Sequence, residues 1–557
     1  MIDIYTQSTH SKISFDNADN HEKKTALKIL KENFKAKDSS LEYDKSVMSG
    51  YKSAFENFYK EEYGILPTGL LPYFYAYLKK VGVEKNIIEL RKFPGVDKAF
   101  AKDLLNDKIA YGIYKPRQYQ KEAVLTIAKK RGGIIQLPTG SGKGFIAALL
   151  CKLYAKQKIL FIFNRIDLIH QTHKELIEKY EIPEEEIGLI QGTNYIPKGR
   201  IILLSMASYE KALHVFPQVK VIVSDECHTT GRSETAQKII FACQSASIHI
   251  GLSATADRIE NPAEQLRLYA NLGPIVYQKE IVEQMEDNYL AQTSIELHTI
   301  TLPESLQPEV CGSWTDQYDK IQITNKMIEG FLREEQDEEG KKKYLVKEIK
   351  QMFKERKDGE YIVEIEDVIE NIREDWLKQG ELYSTKREDG EIFLRKFTDY
   401  GDESTHYVFN ETRNKKIGEL AQQDGRILII FSRKAHGKIL HNLIPGSVLI
   451  SGDNEMEERN AAEQFLKEHK NAVVLASNIW STGKDIPEIE IYINASGGVS
   501  QILQIQKMGR AIRVSPDSGK ESALITDFLD EFSPLAIKQS NKRRRTYESL
   551  NLEMRIL

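Results

Sequence analysis

Two series of short aliphatic runs, separated by amphipathic stretches, set the strongest limit on what this chain can fold into. In the first series Ile134-Ile135, Ile159 to Phe163 and Ile201 to Leu204 are apolar on successive positions, and Val219 to Val223 and Ile248 to Leu252 are mainly so. A strand apolar at every position is buried on both faces, as in a parallel sheet covered by helices. The intervening stretches, such as Asp167 to Tyr180, carry the helical period. A second series begins near Lys415, with Ile427 to Phe431, Ser447 to Ile450, Ala472 to Ala476, Ile489 to Ile493 and Ala523 to Ile525. The expectation is an α/β chain with two parallel-sheet domains in tandem.

The remaining residues flank or interrupt these domains. With 557 residues the chain has room for three to five domains at roughly 100 to 200 residues each. Residues 1–112 are rich in Lys and Tyr and read as a small α+β domain plus linker, with a helix at His21 to Lys35 and another after the turn Leu66 to Gly69. The first α/β domain is expected over 113–300, a connection over 301–323, a charged insertion over 324–407, the second α/β domain over 408–535 and a basic tail over 536–557. The insertion reads as mainly helical, with a long helix from Glu364 and then a hairpin around Glu388-Asp389-Gly390, an order faintly like a winged helix.

Composition excludes several classes. Lys+Arg at 78 against Asp+Glu at 82 gives a net charge of −4, so a polyanion must be met by local basic patches. The four cysteines, Cys151, Cys227, Cys243 and Cys311, form no C-x-x-C pair, which argues against a disulfide framework or zinc ribbon and for a reducing compartment. The start has no signal-peptide pattern, and no apolar run reaches the roughly 18 residues of a membrane span. A cytoplasmic monomer is expected, in the host cytoplasm if the chain is phage-encoded.

The segment Leu137-Pro138-Thr139-Gly140-Ser141-Gly142-Lys143-Gly144 follows one expected strand and precedes a helix, the setting of a phosphate-binding loop. Glycines let backbone N–H groups close around phosphates, the helix start adds partial positive charge, and Lys143 reaches the terminal phosphates. Two positions depart from the general pattern: Leu137 replaces its first Gly, and Gly144 replaces the Ser or Thr hydroxyl that touches Mg²⁺. Downstream, the run Val221 to Ser224 leads into Asp225-Glu226-Cys227-His228. Carboxylates at the end of a buried strand can hold a metal ion and orient a water for attack on a γ-phosphate.

Together these blocks resemble a superfamily-two helicase or translocase with an Asp-Glu-x-His box. Arg117-Gln118-Tyr119-Gln120 is similar to the family's adenine-reading segment, with Arg117 and Gln120 as its nucleotide contacts. Ser253-Ala254-Thr255 resembles the block linking hydrolysis to strand movement, Ser481 to Pro487 the fifth block, and Gln506-Lys507-Met508-Gly509-Arg510-Ala511-Ile512-Arg513 the sixth. The resemblance runs from Ile113 to Phe532 apart from the insertion, and it implies two RecA-like domains using ATP and Mg²⁺.

It also implies roles. Lys143 with Pro138, Thr139, Gly140, Ser141, Gly142 and Gly144 would hold the phosphates, with Gly483 and Asp485 contributing from the second domain. Glu226 would activate water, and Asp225 would hold Mg²⁺ partly through water. Arg513 would be the arginine finger and Arg510 its partner. His228 and Gln506 would sense the nucleotide, while Ser253 and Thr255 couple hydrolysis to movement. The strand-contacting positions would be Arg165, Gln171, Gly192, Ser205, Ser432, Arg433 and Ser477, with Arg543 and Arg544 from the basic run. Such contacts go mainly to phosphates and carry little sequence preference.

Within the superfamily, Tyr63 to Leu71, Tyr119-Gln120-Lys121, Asp-Glu-Cys-His and Ser481-Thr482-Gly483 are similar to the phage recombination and repair helicases of the UvsW type, related to XPB-like and RecG-like motors. That likeness implies branched or duplex DNA as partner and a DNA-binding N-terminal domain. The insertion could be a strand-separating wedge or a docking site for a protein partner. An RNA helicase, a restriction-enzyme motor subunit and a nucleotide-gated clamp with little turnover are the competing readings.

Overall fold

The computed structural model describes residues 1–41, 44–49, 51–301, 408, 410–477, 486–498, 509, 512–515, 519–531 and 534–557, together with five short strands between 321 and 396. The chain divides into two compact units, 1–284 and 285–557.

The first unit holds two main sheets and a two-stranded ribbon, Lys35–Lys37 on Phe55–Asn57. Its larger sheet has the strand order Asn194–Ile196, Ile187–Gln191, Ile201–Ser205, Ile159–Phe163, Val221–Asp225, Ile248–Ser253, Gly133–Gln136, Ile275–Gln278. Every pairing is parallel except the outer hairpin of Asn194–Ile196 on Ile187–Gln191. The runs Ile159–Phe163 and Ile201–Ser205 are buried at all positions, as their unbroken apolar sequence requires. The strand Ile187–Gln191 escaped the sequence reading because Gly188 interrupts it. A Cβ there would stand 2.2 Å from the Lys198 carbonyl oxygen, so this strand needs a glycine where the returning chain passes.

The N-terminal sheet has the order Ile65–Pro67, His10–Ser14, Ile2–Thr6, Lys85–Glu89, and the helices Asn20–Asn33 and Leu71–Lys80 pack with it around Ile2, Ile4, Leu30, Phe34, Phe74 and Leu78. The first helix opens on a reciprocal cap between Asp19 and Glu22. This small domain is docked on the helix Pro262–Leu272. Ala270 enters its core, Arg267 pairs with Glu56 at 2.5 Å, and Asn261 donates to Asp38 at 2.7 Å. The Leu-Pro-Thr-Gly turn lies in the contact: a Cβ on Gly69 would stand 2.2 Å from the Tyr269 carbonyl oxygen and 2.6 Å from that of Ala270. Residues beyond the N-terminal sheet are no free linker, since the helix Lys98–Leu105 packs on the helix Lys143–Leu153 and Asp97 N–H donates to the Leu153 carbonyl.

The second unit holds an all-parallel sheet ordered Val448–Ile450, Ala472–Ser477, Arg426–Phe431, Ile491–Asn494, Ser522–Asp530, Gln292–Ile300, Glu553–Ile556. Two expected boundaries move. Gln292–Ile300 pairs along its whole length with Ser522–Asp530, so the first α/β domain does not extend to 300. The basic tail is no tail: Pro534–Glu548 is a helix, and Glu553–Ile556 completes the sheet edge beside Gln292–Ile300. Parallel partners so far apart in sequence carry no local signal of which sheet they join.

Only short strands of the insertion region are described, and the helices expected there lie outside the described residues. Its described residues form a five-stranded sheet ordered Lys354–Glu355, Glu360–Val363, Ile321–Thr324, Ile392–Lys396, Leu382–Lys386. The last two pair antiparallel around Glu388-Asp389-Gly390, where the hairpin is expected. Short runs such as Glu360-Tyr361-Ile362-Val363 are rich in aromatic and β-branched residues, which favour strands. The expected long helix over 364–381 lies outside the described residues.

Replacing Gly69 with Ala forces a methyl group onto two backbone carbonyls, and overpacking of this kind costs about 1–3 kcal/mol. Hydrogen exchange of the full chain is expected to accelerate over residues 1–89 and stay unchanged over 426–431. Unaltered protection of the helix Leu71–Lys80 would show that the turn does not hold the domain.

Candidate active site

Parallel register brings the chemistry to one edge. Ser253 lies opposite Gln136, Asp225 opposite Leu252, and Ser205 opposite Phe163. The phosphate loop, Ser253, Asp225, Arg165, Ser205 and Gly192 therefore all stand at or just beyond the carboxyl ends of neighbouring strands, where open α/β sheets bind ligands.

The loop is held from both sides. Gly142 has φ +75°, and a Cβ on it would also stand 2.6 Å from Gln120 Nε2, so only glycine fits. Gln120 Nε2 and the Tyr119 hydroxyl donate to the Ser141 carbonyl at 3.0 and 2.6 Å, while Gln120 Oε1 accepts from Arg117 N–H at 2.9 Å. Gln120, at 3% exposure, thus supports the loop backbone. Arg117 lies beside it, its guanidinium donating to the Tyr119 hydroxyl at 3.3 Å. Ser141 is buried and donates to the Pro138 carbonyl, and Gly140 adds a second positive φ of +89°. Lys143 Nζ lies 3.3 Å from both the Leu137 and Pro138 carbonyl oxygens. A buried Thr139 hydroxyl accepts and donates nothing within the protein.

Asp225 ends its strand, and Glu226 turns the chain through the left-handed region at φ +44°, ψ +51°. That conformation costs a non-glycine residue roughly 1–2 kcal/mol and sets two carboxylates side by side at the sheet edge. The Asp225 carboxyl is held well above the usual carboxylate range, by burial first and then by Glu226, with Lys143 pulling it back. Glu226 Oε2 is buried, accepts no hydrogen bond, and lies 3.4 Å from His228 Nδ1. Two adjacent carboxylates of this kind suit a hard divalent cation. Among the described residues no three His, Cys, Asp or Glu side chains converge to hold a metal by themselves.

His228 is 1% exposed, and burial lowers its pKa against the opposing pull of Glu226. Its Nδ1 is 2.9 Å from Ser253 Oγ. Ser253 Oγ also accepts from Thr255 N–H at 3.0 Å, and the Ser253 carbonyl accepts from Leu137 N–H at 2.9 Å. The acidic box, the Ser-Ala-Thr block and the start of the phosphate loop are thus one hydrogen-bonded chain. The link was legible only as separate blocks, because pairing through Ser253 depends on strand order.

The expected nucleic-acid positions divide. Arg165 is partly exposed and 3.6 Å from Asp167. Gly192, at φ +50°, accepts from Lys211 Nζ at its carbonyl, and Lys211 is a basic neighbour the sequence reading missed. Gln171 is half-buried and donates to Glu175, while Ser205 is buried at 4% exposure. In the second unit Ser432 and Arg433 are exposed directly after Arg426–Phe431, whose Phe431 is in register with Ser477. Arg513 forms a backbone bridge with Leu290, and Ala291 N–H donates to the Ile512 carbonyl at 2.7 Å. Gly483, Asp485, Gln506 and Arg510 lie outside the described residues.

Arg543 corrects the reading of the basic run. It is 1% exposed and pairs with Asp527 at 3.2 Å and Asp530 at 2.9 Å, so it is a core residue and not a DNA contact. Arg544 is exposed but pairs with Glu548 one turn on. Four consecutive basic residues on a helix point to different faces, which a count of charges does not reveal.

Residues 113–258 match the family model described as type III restriction enzyme, res subunit, and residues 412–515 match the helicase conserved C-terminal domain. The chain is 27% identical over 456 residues to the DNA 3'-5' translocase XPB2 of Sulfurisphaera tokodaii, covering 80% of this chain and 86% of the relative. It is 22% identical over 452 residues to the ATP-dependent DNA helicase uvsW of Enterobacteria phage T4, covering 78% and 72%. The crystal structure of T4 UvsW aligns over 100% of this chain and 99% of that one at 18% identity, with a TM-score of 0.43. Among the described residues no helix is long and apolar enough to cross a membrane.

Arg543→Ala strands two buried carboxylates and is expected to cost about 3–5 kcal/mol in urea unfolding of the second unit. Arg544→Ala is expected to change stability by less than about 1 kcal/mol. A folded, fully stable Arg543→Ala protein with weakened DNA binding would return Arg543 to the nucleic-acid surface.

Proposed function

We propose that the chain, with its restriction-enzyme res-subunit and helicase C-terminal domains, is an ATP-hydrolysing helicase of superfamily two that moves along DNA and remodels branched DNA such as forks, junctions and displacement loops. The observation that carries the reading is the chain of hydrogen bonds from His228 through Ser253 to Leu137, which ties the acidic box to the phosphate loop on the same sheet edge that presents Arg165 and Gly192.

In this reading Lys143 exchanges the Leu137 and Pro138 carbonyls for the terminal phosphates of ATP. Glu226, with an oxygen that no protein group satisfies, accepts a hydrogen bond from the attacking water and takes up its proton. Asp225 holds the divalent cation partly through water. Bound Mg²⁺ would supply positive charge that offsets the developing charge on the phosphoryl oxygens. Arg513, with Arg510, would stabilise the same charge from the second domain. His228 senses the change at Glu226 and passes it to Ser253, Thr255 and the strand-contacting edge.

DNA as the polymer is supported by the two relatives, a DNA translocase and a DNA helicase. The branched-DNA role is supported by the Tyr63 to Leu71 segment, whose Gly69 turn seats the N-terminal domain on the motor. Phosphate release is to be measured with Mg²⁺-ATP alone and with single-stranded, duplex and forked DNA and RNA. Forked or duplex DNA is expected to stimulate most, with loss of about 10²–10⁴-fold in Glu226→Gln and loss of ATP binding in Lys143→Ala. Stimulation by RNA alone would make it an RNA helicase, and tight ATP-dependent DNA binding without turnover would make it a clamp.

A further inference from the structure

Gly144 leaves the phosphate loop without its usual hydroxyl, and another oxygen stands beside the gap. A Cβ built on Gly144 would lie 2.9 Å from Glu175 Oε2 and 3.9 Å from the Tyr180 hydroxyl. Glu175 belongs to the helix Ile166–Glu178, and its side chain is 20% exposed. Its other oxygen is occupied: Oε1 accepts from Gln171 Nε2 at 3.2 Å and from Lys179 Nζ at 3.1 Å. Both donors bond Oε1, and Oε2 is the oxygen beside the Gly144 position. Tyr180 is fixed by stacking on Phe145, the residue after Gly144, with ring centroids 4.9 Å apart.

A carboxylate beside a loop built for a polyanion is repelled by the nucleotide unless a cation stands between them. Glu175 also adds to the negative field at Asp225, so it shares that residue's electrostatic surroundings. A Cβ at 144 and the present position of Oε2 exclude one another, since 2.9 Å is closer than the two atoms can stand. The residue at 144 and the carboxylate at 175 are therefore alternative ways of placing an oxygen on this side of the loop.

We propose that Glu175 replaces the missing phosphate-loop hydroxyl, its Oε2 accepting hydrogen bonds from the water shell of the divalent cation that accompanies ATP. Gln171 and Lys179 are positioning residues for this carboxylate. The inference rests on the ATP-dependent reading above and assigns a metal-side residue to that same site. Because a carboxylate is charged where a hydroxyl is not, it makes nucleotide binding more dependent on the cation.

The test is equilibrium binding of a fluorescent ATP analogue to the full chain, titrated with Mg²⁺ and with Mn²⁺, for wild type, Glu175→Gln, Gly144→Ser and the double variant. Thermal unfolding checks that each is folded. Glu175→Gln is expected to raise the cation concentration for half-maximal binding about tenfold, as loss of an outer-shell partner does, while binding of the metal-free analogue is unchanged or tighter. The double variant is expected to regain the wild-type cation response, the serine hydroxyl taking over. The electron paramagnetic resonance spectrum of the Mn²⁺ complex should differ between wild type and Glu175→Gln. An unchanged cation response in Glu175→Gln, or equal weakening with and without the cation, overturns the assignment while leaving the ATPase reading intact. Failure of wild type to bind the analogue at any cation concentration overturns both.

Discussion

In-register parallel pairing of Gly133–Gln136, Ile248–Ser253 and Val221–Asp225 is the constraint from which the rest of the site follows. It sets Ser253 between the phosphate loop and the acidic box, one strand from each. From there a single serine bonds to both neighbours: its carbonyl takes the Leu137 N–H and its hydroxyl meets His228. A slip of one residue would turn each strand's side chains to the opposite face and separate these groups. The aliphatic residues that make the strands buried on both faces are thus what fixes the catalytic geometry, by making every other register costly.

The second sheet uses a different device. Arg413, Arg543, Asp527 and Asp530 are all at 1% exposure or less and form one ion-pair network, extended by the Tyr547 hydroxyl and the Asn494 amide, which both donate to Asp527. Desolvating four charges is unfavourable unless nearly every donor is used, and here the guanidinium groups also reach the carbonyls of Ala495, Phe528 and Gly498. The network ties the helices at 411–420 and 534–548 to the strand ends at 494–498. The last two residues of the sixth block, Ile512 and Arg513, are anchored separately, by Ala291 and Leu290.

What the sequence made legible follows the range of the interactions concerned. Runs apolar on every position, such as Ile427 to Phe431, and loops whose glycines are dictated by local backbone geometry, such as Gly142, can be read directly. Gln292–Ile300 could not be assigned to its sheet, because its partner Ser522–Asp530 is more than two hundred residues away and its own alternation fits either domain. Arg543 was misread for the same reason: the two aspartates that bury it lie on a strand, and a run of four basic residues looks exposed until that strand is in place. Glu175 carried no signal at all. An i, i+4 neighbour of Gln171 and Lys179 reads as a helix-surface charge, and only the approach of its helix to the phosphate loop gives it a neighbour at Gly144.

The N-terminal domain is joined to the motor at a place that bears on function. The helix Pro262–Leu272 and its cap Asn261, which meet Glu56, Asp38 and the Gly69 turn, begin soon after Ser253-Ala254-Thr255. Gln265 on that helix donates to the Ala256 carbonyl at 2.9 Å and accepts from the Ile259 N–H, so the connecting turn is bonded to the helix. Ser253 is thus followed by a short, internally bonded segment and then by the surface on which the N-terminal sheet rests. Contact alone does not make coupling, which requires an element with two arrangements. Yet the continuity has a mechanical consequence: with Gly69 pressed on the Tyr269 and Ala270 carbonyls, a shift of this helix cannot occur without carrying the N-terminal sheet with it. A DNA-contacting surface on that sheet would therefore move with the block that answers His228, and no separate linker has to transmit the motion.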